Sequence, residues 1–233
     1  MKFAVLVFPG TWSDKDCQYV LQHGLGQQAD LVWHRESTLD GYDAVVIPGG
    51  FSYGDHLRTG AIARFSPVMD AVARHADRGK PVIGICNGFQ ILCESHLLPG
   101  ALIRNDSLQF RCVPSWLRVE NADTMFSCAA KEGDVLMVPV SHGEGNYYAD
   151  DQTIATLEDA RRVVFRYVTS DGEQTRDANP NGSINNIAGI INERGNVLGM
   201  MPHPERSADP ILGNTDGLKI FQSILDSALH AVA

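Results

Sequence analysis

The sequence predicts an α/β fold of three layers, in which helices cover both faces of a mostly parallel central sheet that antiparallel strands extend. In the first half of the chain, apolar runs typical of buried strands alternate with segments of helical period. In the second half, strand-like runs follow one another with few helices between them. Since 44% of the 233 residues are hydrophobic, we expect one domain that spans residues 1–233.

The first half is predicted to contain four strands and three helices. Pro9 and Gly10 end the first strand, and Ser13 with Asp16 three residues later resembles a capping box that starts the first helix. The Pro-Gly-Gly stretch at residues 48–50 ends the third strand. The strands are expected at residues 2–8, 31–34, 42–47 and 81–85, and the helices at residues 13–27, 67–78 and 87–98.

The second half is predicted to add antiparallel strands, an exposed loop and a closing helix. Residues 171–182 are rich in Gly, Asn, Asp and Pro, a composition typical of an exposed loop. Residues 215–229 carry apolar side chains on one face of a helix, which would pack against the sheet. The strands are expected at residues 135–140, 162–168, 187–191 and 197–201.

Composition and charge exclude several classes of function. The formal net charge is −9 and no dense Lys/Arg stripe is present, so nucleic acid is not expected as a partner. No segment approaches the ~20 apolar residues of a membrane span, and the first apolar run is too short for a signal peptide. Five cysteines without a C-x-x-C pair indicate neither a disulfide framework nor a zinc ribbon. We therefore expect a cytoplasmic chain with reduced thiols and no metal site.

Cys86 lies in a motif typical of an enzymatic nucleophile. Residues 84–88, Gly-Ile-Cys-Asn-Gly, are the thiol counterpart of the G-x-S-x-G elbow at a junction between strand and helix. Such a sharp turn lifts the nucleophile above the sheet edge, and side chains two residues away on either side would collide there. The helix that starts at Asn87 directs its positive end at the sulfur and stabilises a thiolate. The N–H group just after the nucleophile is free to bind an oxyanion.

His203 and Glu205 supply a base and a carboxylate for this nucleophile. A proline on each side of the histidine restricts the backbone to extended geometry, so both side chains project to the same side. The carboxylate would fix the imidazole tautomer and stabilise its charged form. The sequence thus predicts a triad of Cys86, His203 and Glu205. His142, just after a buried strand, is expected to line the site.

The residues alone leave other interpretations of Cys86 open. A buried structural cysteine is the usual state of a free thiol, and we expect Cys93, Cys112 and Cys128 to be of this kind. With the same fold and elbow, Cys86 could instead serve a peptidase, a deglycase or a redox sensor. A fold retained only as an interaction scaffold typically loses a triad member, whereas all three positions are occupied here.

The chain resembles the class I (triad) glutamine amidotransferases, and most closely the branch that serves purine biosynthesis. Residues 84–90 match the G-x-C-x-G-x-Q elbow of this family, and His203 with Glu205 match its later histidine and glutamate. Further matches are IPGGFSYGD at residues 47–55, VSHGEG at residues 140–145 and PHPER at residues 202–206. The resemblance implies the flavodoxin-like, three-layer fold of the family over essentially the whole chain.

The resemblance implies an activity and a set of site residues. The chain would hydrolyse L-glutamine to glutamate and ammonia through a thioester on Cys86, with His203 carrying the protons. The implied oxyanion donors are the backbone N–H groups of Asn87 and of Gly50 or Phe51, and the implied substrate-binding residues are Gln90, Asn105 and Ser107.

The resemblance also implies a complex. The family passes ammonia to a large synthetase subunit that uses ATP and Mg to convert formylglycinamide ribonucleotide to formylglycinamidine ribonucleotide, and a small accessory subunit completes the assembly. This chain contains neither G-x-x-x-x-G-K-[ST] nor G-x-G-x-x-G, so we expect it to bind no cofactor, with ATP belonging to the partner. Residues 52–58 and 179–186 are the expected docking segments.

Overall fold

The computed structural model describes residues 1–230, and its largest element is a nine-stranded sheet. In chain order the strands are β1 Lys2–Val7, β2 Gln28–Trp33, β3 Ala44–Ile47, β4 Val82–Ile85, β5 Ala101–Ile103, β6 Arg111–Val113, β7 Trp116–Val119, β8 Val135–Met137, β9 Val140–His142, β10 Asn146–Tyr148, β11 Val163–Val168, β12 Ile187–Ile191 and β13 Val197–Met200. The α-helices are α1 Asp14–Tyr19, α2 Pro67–Asp77, α3 Asn87–Glu94, α4 Asp151–Asp159 and α5 Leu218–His230. Within this described part of the chain, no helix combines the length and apolar character needed to cross a bilayer.

The large sheet has a parallel half and an antiparallel half. Its strand order is β2-β1-β3-β4-β13-β12-β11-β7-β8. The first five strands of this order run parallel, and the remaining pairings are antiparallel. Every residue of β3 and β4 is buried, as expected for strands covered on both faces. The predicted fold class is therefore confirmed, including the antiparallel additions from the second half.

The first helix differs most from its prediction. It was expected at residues 13–27, but α1 ends at Tyr19 and continues only as a π-helical turn over Val20–Gly24. The predicted capping box is wrong, because the side chain of Ser13 makes no capping hydrogen bond. Its hydroxyl instead accepts a hydrogen bond of 3.2 Å from the guanidinium of Arg206. A tertiary contact has replaced the local cap and ties the first helix to the segment after β13.

Two further elements are shorter than predicted for local reasons. The helix expected at residues 87–98 ends at Glu94, and His96 adopts a left-handed φ of 58° that does not continue a helix. The strand expected at residues 135–140 divides into β8 and β9 around Pro139, which has no N–H to donate. As a result β8 pairs with β7, whereas β9 pairs with β6 in a separate ribbon.

Several short elements were not predicted. Strands β5, β6 and β10 have three residues each, too few to show a period of two. Helix α4 buries only Ile154 and Leu157, so its apolar pattern is weak. Its start does have a sequence signal, since the Asp150 carboxylate accepts a hydrogen bond of 2.7 Å from the N–H of Thr153.

The cysteines outside the elbow follow the prediction only in part. Cys93 is buried as expected, but Cys112 and Cys128 are exposed, so their assignment to the core is wrong. Cys112 lies on β6, which pairs with β9 in a two-stranded ribbon outside the large sheet. The Cys128 thiol donates to the carbonyl oxygen of Ser223 at 3.3 Å. The loop at residues 171–182 is largely exposed in its first part, whereas Asn181 near its end is fully buried.

Candidate active site

Cys86 occupies the turn between β4 and α3 in a strained conformation. Its φ of 51° and ψ of −104° lie in a region that non-glycine residues rarely adopt. The two flanking positions have no room for a side chain, because a Cβ at Gly84 would lie 2.7 Å from the Gly88 backbone. A Cβ at Gly88 would lie 1.9 Å from the carbonyl oxygen of Ile47. The structure therefore has the elbow geometry that the glycine spacing predicted.

Cys86 and His203 are brought to one sheet edge because their strands are neighbours. β4 and β13 pair in parallel with Ile85 opposite Met200, so their carboxyl ends lie side by side. The Cys86 N–H donates to the Met200 carbonyl oxygen at 2.7 Å and extends this pairing to the elbow. The His203 N–H donates to the carbonyl oxygen of Pro139 at 2.8 Å, which fixes the backbone beside the imidazole.

His203 and Glu205 form a buried pair. Nδ1 of His203 lies 2.6 Å from Oε1 of Glu205. Burial opposes the charged form of His203, but the charges of Glu205 and Cys86, together with the hydrogen bond to Glu205, raise the pKa of His203 to about 10. Burial acts against the Glu205 carboxylate too, yet the His203 charge and hydrogen bond lower its pKa. Nε2 of His203 is buried without an aligned partner among the described residues, which leaves it to exchange a proton with Cys86.

The Glu205→Gln change is expected to move the descending limb of the kcat-pH profile to lower pH. The carboxylate of Glu205 raises the pKa of His203, so its removal lets the imidazolium lose its proton at a lower pH. A shift of about one pH unit or more is expected, measured as glutamate release from glutamine across pH. The matched control is Glu193→Gln, an exposed carboxylate at the β12–β13 turn. An identical descending limb in Glu205→Gln and wild type would contradict the pairing.

Cys86 opens onto a cavity of about 210 Å³. The cysteine is only 5% exposed, so a substrate must enter this cavity to reach the sulfur. No three His, Cys, Asp or Glu side chains within residues 1–230 converge as metal ligands would. The other lining residues are Gly50, Phe51, Asp55, Thr59, Gln90, Phe110, Ser141, His142, Gly143 and Glu144.

The predicted oxyanion donors differ in their availability. The N–H of Phe51 already donates to the carbonyl oxygen of Gly10 at 2.9 Å, so it is not free for a substrate. The N–H groups of Gly50 and Asn87 have no acceptor among residues 1–230, and that of Asn87 lies in the first turn of α3. The choice between Gly50 and Phe51 therefore narrows to Gly50, which lines the cavity beside Cys86.

Gln90 lies in the wall of the cavity, as its place in the elbow motif suggested. Its amide Nε2 donates to the carbonyl oxygen of Glu144 at 2.6 Å, and its Oε1 accepts from Nδ2 of Asn87 at 2.9 Å. The Asn87 Oδ1 in turn accepts from the N–H of Ser52 at 3.2 Å. These bonds connect the elbow helix to the two loops that complete the cavity.

The structure places Asn105 and Ser107 outside the lining of the cavity. Asn105 is fully buried, and its Nδ2 donates to the carbonyl oxygens of Gln109 and His142 at 2.8 and 3.0 Å. Its Oδ1 accepts from the N–H of Gly145 at 2.9 Å. Ser107 lines a different cleft, and its Oγ accepts a long bond of 3.4 Å from the N–H of Gln109. These contacts favour a structural role for Asn105 over the substrate contact that the resemblance implied.

The Asn105→Ala change is expected to reduce stability and leave substrate affinity largely intact. It would leave buried backbone groups around His142 without partners, at an expected cost of about 2–4 kcal/mol in the free energy of unfolding. Urea denaturation measures this loss, and Gln152→Ala is the control because Gln152 is exposed on α4, where alanine is well tolerated. A large increase in KM with unchanged stability would instead establish Asn105 as a substrate contact.

His142 lines the cavity, as expected, and is held neutral. Burial first, and the charge of His203 second, lower its pKa to about 4. Its Nδ1 lies 3.2 Å from Oδ1 of Asn105, and its Nε2 lies 3.3 Å from Nδ2 of Asn181. With both ring nitrogens engaged, His142 is suited to shape the wall and not to carry protons.

The sequence prediction did not include several residues of this region, Phe110, Ser141 and Gly143 of the cavity lining among them. Asn181 is fully buried and holds His142, although its loop was expected to be exposed. Asp55, Thr59 and Glu144 line the cavity itself. Asp55 and Glu144 do lie inside the matched stretches 47–55 and 140–145, which was the available signal for them.

A cysteine on a strained turn at the carboxyl edge of parallel strands, near a buried pair of histidine and carboxylate, is the arrangement of the triad glutamine amidotransferases. The model of the CobB/CobQ-like glutamine amidotransferase domain matches residues 1–222. The chain belongs to this family, and its similarity is to one branch of it. It is 59% identical to phosphoribosylformylglycinamidine synthase subunit PurQ of Gloeobacter violaceus over 100% of both chains. It is 58% identical to PurQ of Moorella thermoacetica, over 97% of this chain and 96% of that protein.

Solved structures agree with this assignment. The structure of PurLQS from Thermotoga maritima contains a chain that is 42% identical, with a TM-score of 0.86 and coverage of 97% of this chain and 98% of that one. A glutamine amidotransferase from Thermotoga maritima, at 16% identity and a TM-score of 0.59 over 97% of both chains, shares the fold. The full-length matches favour the glutaminase interpretation over the peptidase, redox-sensor and scaffold alternatives.

Proposed function

We propose that this chain is the glutaminase subunit of a phosphoribosylformylglycinamidine synthase in purine biosynthesis. It hydrolyses L-glutamine to glutamate and ammonia. The observation that carries the proposal is the strained elbow of Cys86, set beside the buried His203–Glu205 pair at the edge of a cavity. Relatives that are 55–59% identical over nearly the whole chain are named PurQ subunits of this synthase.

The first half of the reaction forms a thioester. His203 holds on Nε2 the proton that Cys86 has given up, and the thiolate attacks the carbonyl carbon of the glutamine side-chain amide. The N–H groups of Gly50 and Asn87 receive the oxyanion, and removal of one such donor typically costs about 10²–10³ in rate. The carbon–nitrogen bond then breaks while His203 returns the proton to the leaving group, which departs as ammonia.

The second half releases glutamate. A water molecule attacks the thioester carbon, and His203 accepts the proton that the water loses. Collapse of the second oxyanion breaks the carbon–sulfur bond, and the sulfur leaves as a thiolate that His203 can reprotonate. Glu205 holds Nδ1 of His203 throughout, which keeps the imidazole oriented and stabilises its charged form.

Ammonia from this site would supply a separate synthetase. We infer a complex with a large synthetase subunit and a small accessory subunit, in which the large subunit converts formylglycinamide ribonucleotide to formylglycinamidine ribonucleotide. ATP and Mg belong to that partner, and we assign no cofactor to this chain, whose sequence has no phosphate-binding loop. The five cysteines are all free thiols, which supports a reducing, cytoplasmic setting.

The two expected docking segments differ in what they present to a partner. In residues 52–58 the side chain of Leu57 is 93% exposed, close to Asp55 in the cavity wall. In residues 179–186 the side chains of Asn179, Asn181 and Asn186 are used within the chain. We therefore propose residues 52–58 as the principal docking segment.

The proposed function is tested by glutamate release from this chain alone and from a mixture with the synthetase and accessory subunits, ATP and formylglycinamide ribonucleotide. We expect strong release of glutamate only in the mixture, because without a synthetase no reaction would use the ammonia. Strong release that ignores the partners would keep the glutaminase chemistry and refute the purine assignment. A mixture that releases no glutamate would refute both.

A further inference from the structure

Two carboxylates, Asp55 and Glu144, lie in the same cavity as Cys86, and the triad does not use them. Oδ1 of Asp55 is buried and has no hydrogen-bond partner among residues 1–230. Oε2 of Glu144 accepts a hydrogen bond of 3.1 Å from the hydroxyl of Thr59. The guanidinium of Arg104 is 3.8 Å from Oε1 of Glu144, but it is largely exposed and screened by solvent.

The two acids leave this part of the cavity without a buried counter-charge. Burial first, and the charge of Glu144 second, raise the pKa of Asp55 to about 6. A buried acceptor without a donor is costly, and a carboxylate beside another is more costly still. A ligand cation with several N–H donors would offset both costs, because it would pair with Asp55 and reduce the repulsion from Glu144.

We propose that Asp55 and Glu144 bind the α-ammonium group of L-glutamine and so select an amino-acid amide over other primary amides. The inference rests on the proposed function, since it assumes that the side-chain amide of glutamine lies at Cys86. The ammonium group carries three N–H donors and a full positive charge, which match an unpaired carboxylate oxygen beside a second carboxylate. The cavity thus holds the reacting group at its cysteine and the charged end of the same molecule at its acids.

The backbone around Asp55 is built to present this side chain. Asp55 has a left-handed φ of 54°, and so does Tyr53, with a φ of 55°. The Tyr53 hydroxyl lies 2.9 Å from Nδ1 of His34 and 2.9 Å from Oγ of Ser66. These contacts hold the turn against the segments that carry His34 and Ser66. Such a conformation is costly for a residue with a side chain and persists where the surroundings enforce it. Asp55 is therefore a preorganised acceptor.

The test measures the binding of two compounds to the reconstituted complex that carries Cys86→Ser. This change prevents turnover from altering the measured dissociation constants. The compounds are L-glutamine and 4-carbamoylbutanoate, which is glutamine without its amino group. The critical variant is Asp55→Asn, because asparagine has nearly the same size and tolerates a left-handed φ. Glu144→Gln is the second variant, and Asp159→Asn on α4, an exposed carboxylate, is the matched control. Calorimetric titration gives the dissociation constants.

The proposal predicts that L-glutamine binds at least about tenfold more tightly than 4-carbamoylbutanoate and that Asp55→Asn removes this preference. Glu144→Gln should reduce the preference, and Asp159→Asn should keep it. Equal binding of the two compounds, or an Asp55→Asn variant that weakens both to the same extent, would overturn the inference. Glutamate release by the wild-type complex is recorded in parallel. An Asp55-dependent preference in the Cys86→Ser complex, combined with no glutamate release by the wild-type complex, would refute the proposed function alone.

Discussion

The Cys86→Ala change is expected to abolish the use of glutamine, with a loss of at least about 10⁴ in kcat. In the proposed mechanism the sulfur of Cys86 forms the thioester, and no other thiol lines the cavity within residues 1–230. Alanine fits the strained elbow no worse than cysteine, so the protein should still fold. The measurement is glutamine-dependent formation of formylglycinamidine ribonucleotide by the reconstituted complex.

Two controls make this result specific. The same complex supplied with ammonium salt should keep its activity, because the synthetase then needs no glutaminase. Cys112→Ala, which replaces an exposed thiol on β6, should leave glutamine use unchanged. Glutamine-dependent product from Cys86→Ala at more than about one-hundredth of the wild-type rate would contradict the assignment of the nucleophile.

The Gly88→Ala change is expected to destabilise the protein by about 3 kcal/mol or more. The added Cβ would lie 1.9 Å from the carbonyl oxygen of Ile47 and 2.8 Å from its carbonyl carbon. Both atoms belong to the backbone at the end of β3, so no side-chain rotation relieves the collision. Separation of α3 from β3 would also displace the turn that carries Gly50. Urea denaturation should show the loss as a lower midpoint, and glutaminase activity should fall with it.

Gly24→Ala is the matched control for this prediction. Gly24 lies in the π-helical turn after α1, and a Cβ there would meet its nearest neighbour, Cδ1 of Leu218, at an ordinary 3.4 Å. We expect a change of no more than about 0.5 kcal/mol in the free energy of unfolding. If Gly88→Ala were as stable as Gly24→Ala, the close approach of α3 to β3 would be refuted.

The triad was predictable because each of its parts is encoded in a short stretch. The glycines around Cys86 reflect a local turn, and the prolines around His203 reflect a local extended segment. That these stretches meet depends on the pairing of β4 with β13, which no local pattern states. The resemblance to a family supplied that step.

Other features could not be predicted because tertiary contacts decide them. Ser13 lies at a position typical of a helix N-cap, but its hydroxyl accepts a hydrogen bond from Arg206, which is far away in the sequence. The backbone N–H of Phe51 was a predicted oxyanion donor, but it donates to the carbonyl oxygen of Gly10. Asn181 lies in a polar segment typical of loops, yet burial against His142 makes it part of the cavity wall. In each case the competing partner is distant in sequence.

The pair of acids near Cys86 illustrates the same limit. Asp55 and Glu144 belong to two separate stretches, and each is unremarkable as a loop carboxylate. Their chemical meaning arises only when the fold places both in one cavity with the nucleophile. The negative charge of Glu144 helps to raise the pKa of Asp55 because the fold brings the two carboxylates close together. Their separation along the sequence does not indicate this proximity.

The most direct test of the proposed chemistry is a search for the covalent intermediate on Cys86. The complete complex is mixed with L-glutamine, quenched with acid during turnover, digested and analysed by mass spectrometry. We expect a γ-glutamyl group on the peptide that contains Cys86, released by hydroxylamine and absent after the Cys86→Ala change. A glutamyl group on a different residue, or glutamate release by Cys86→Ala at the wild-type rate, would contradict this chemistry.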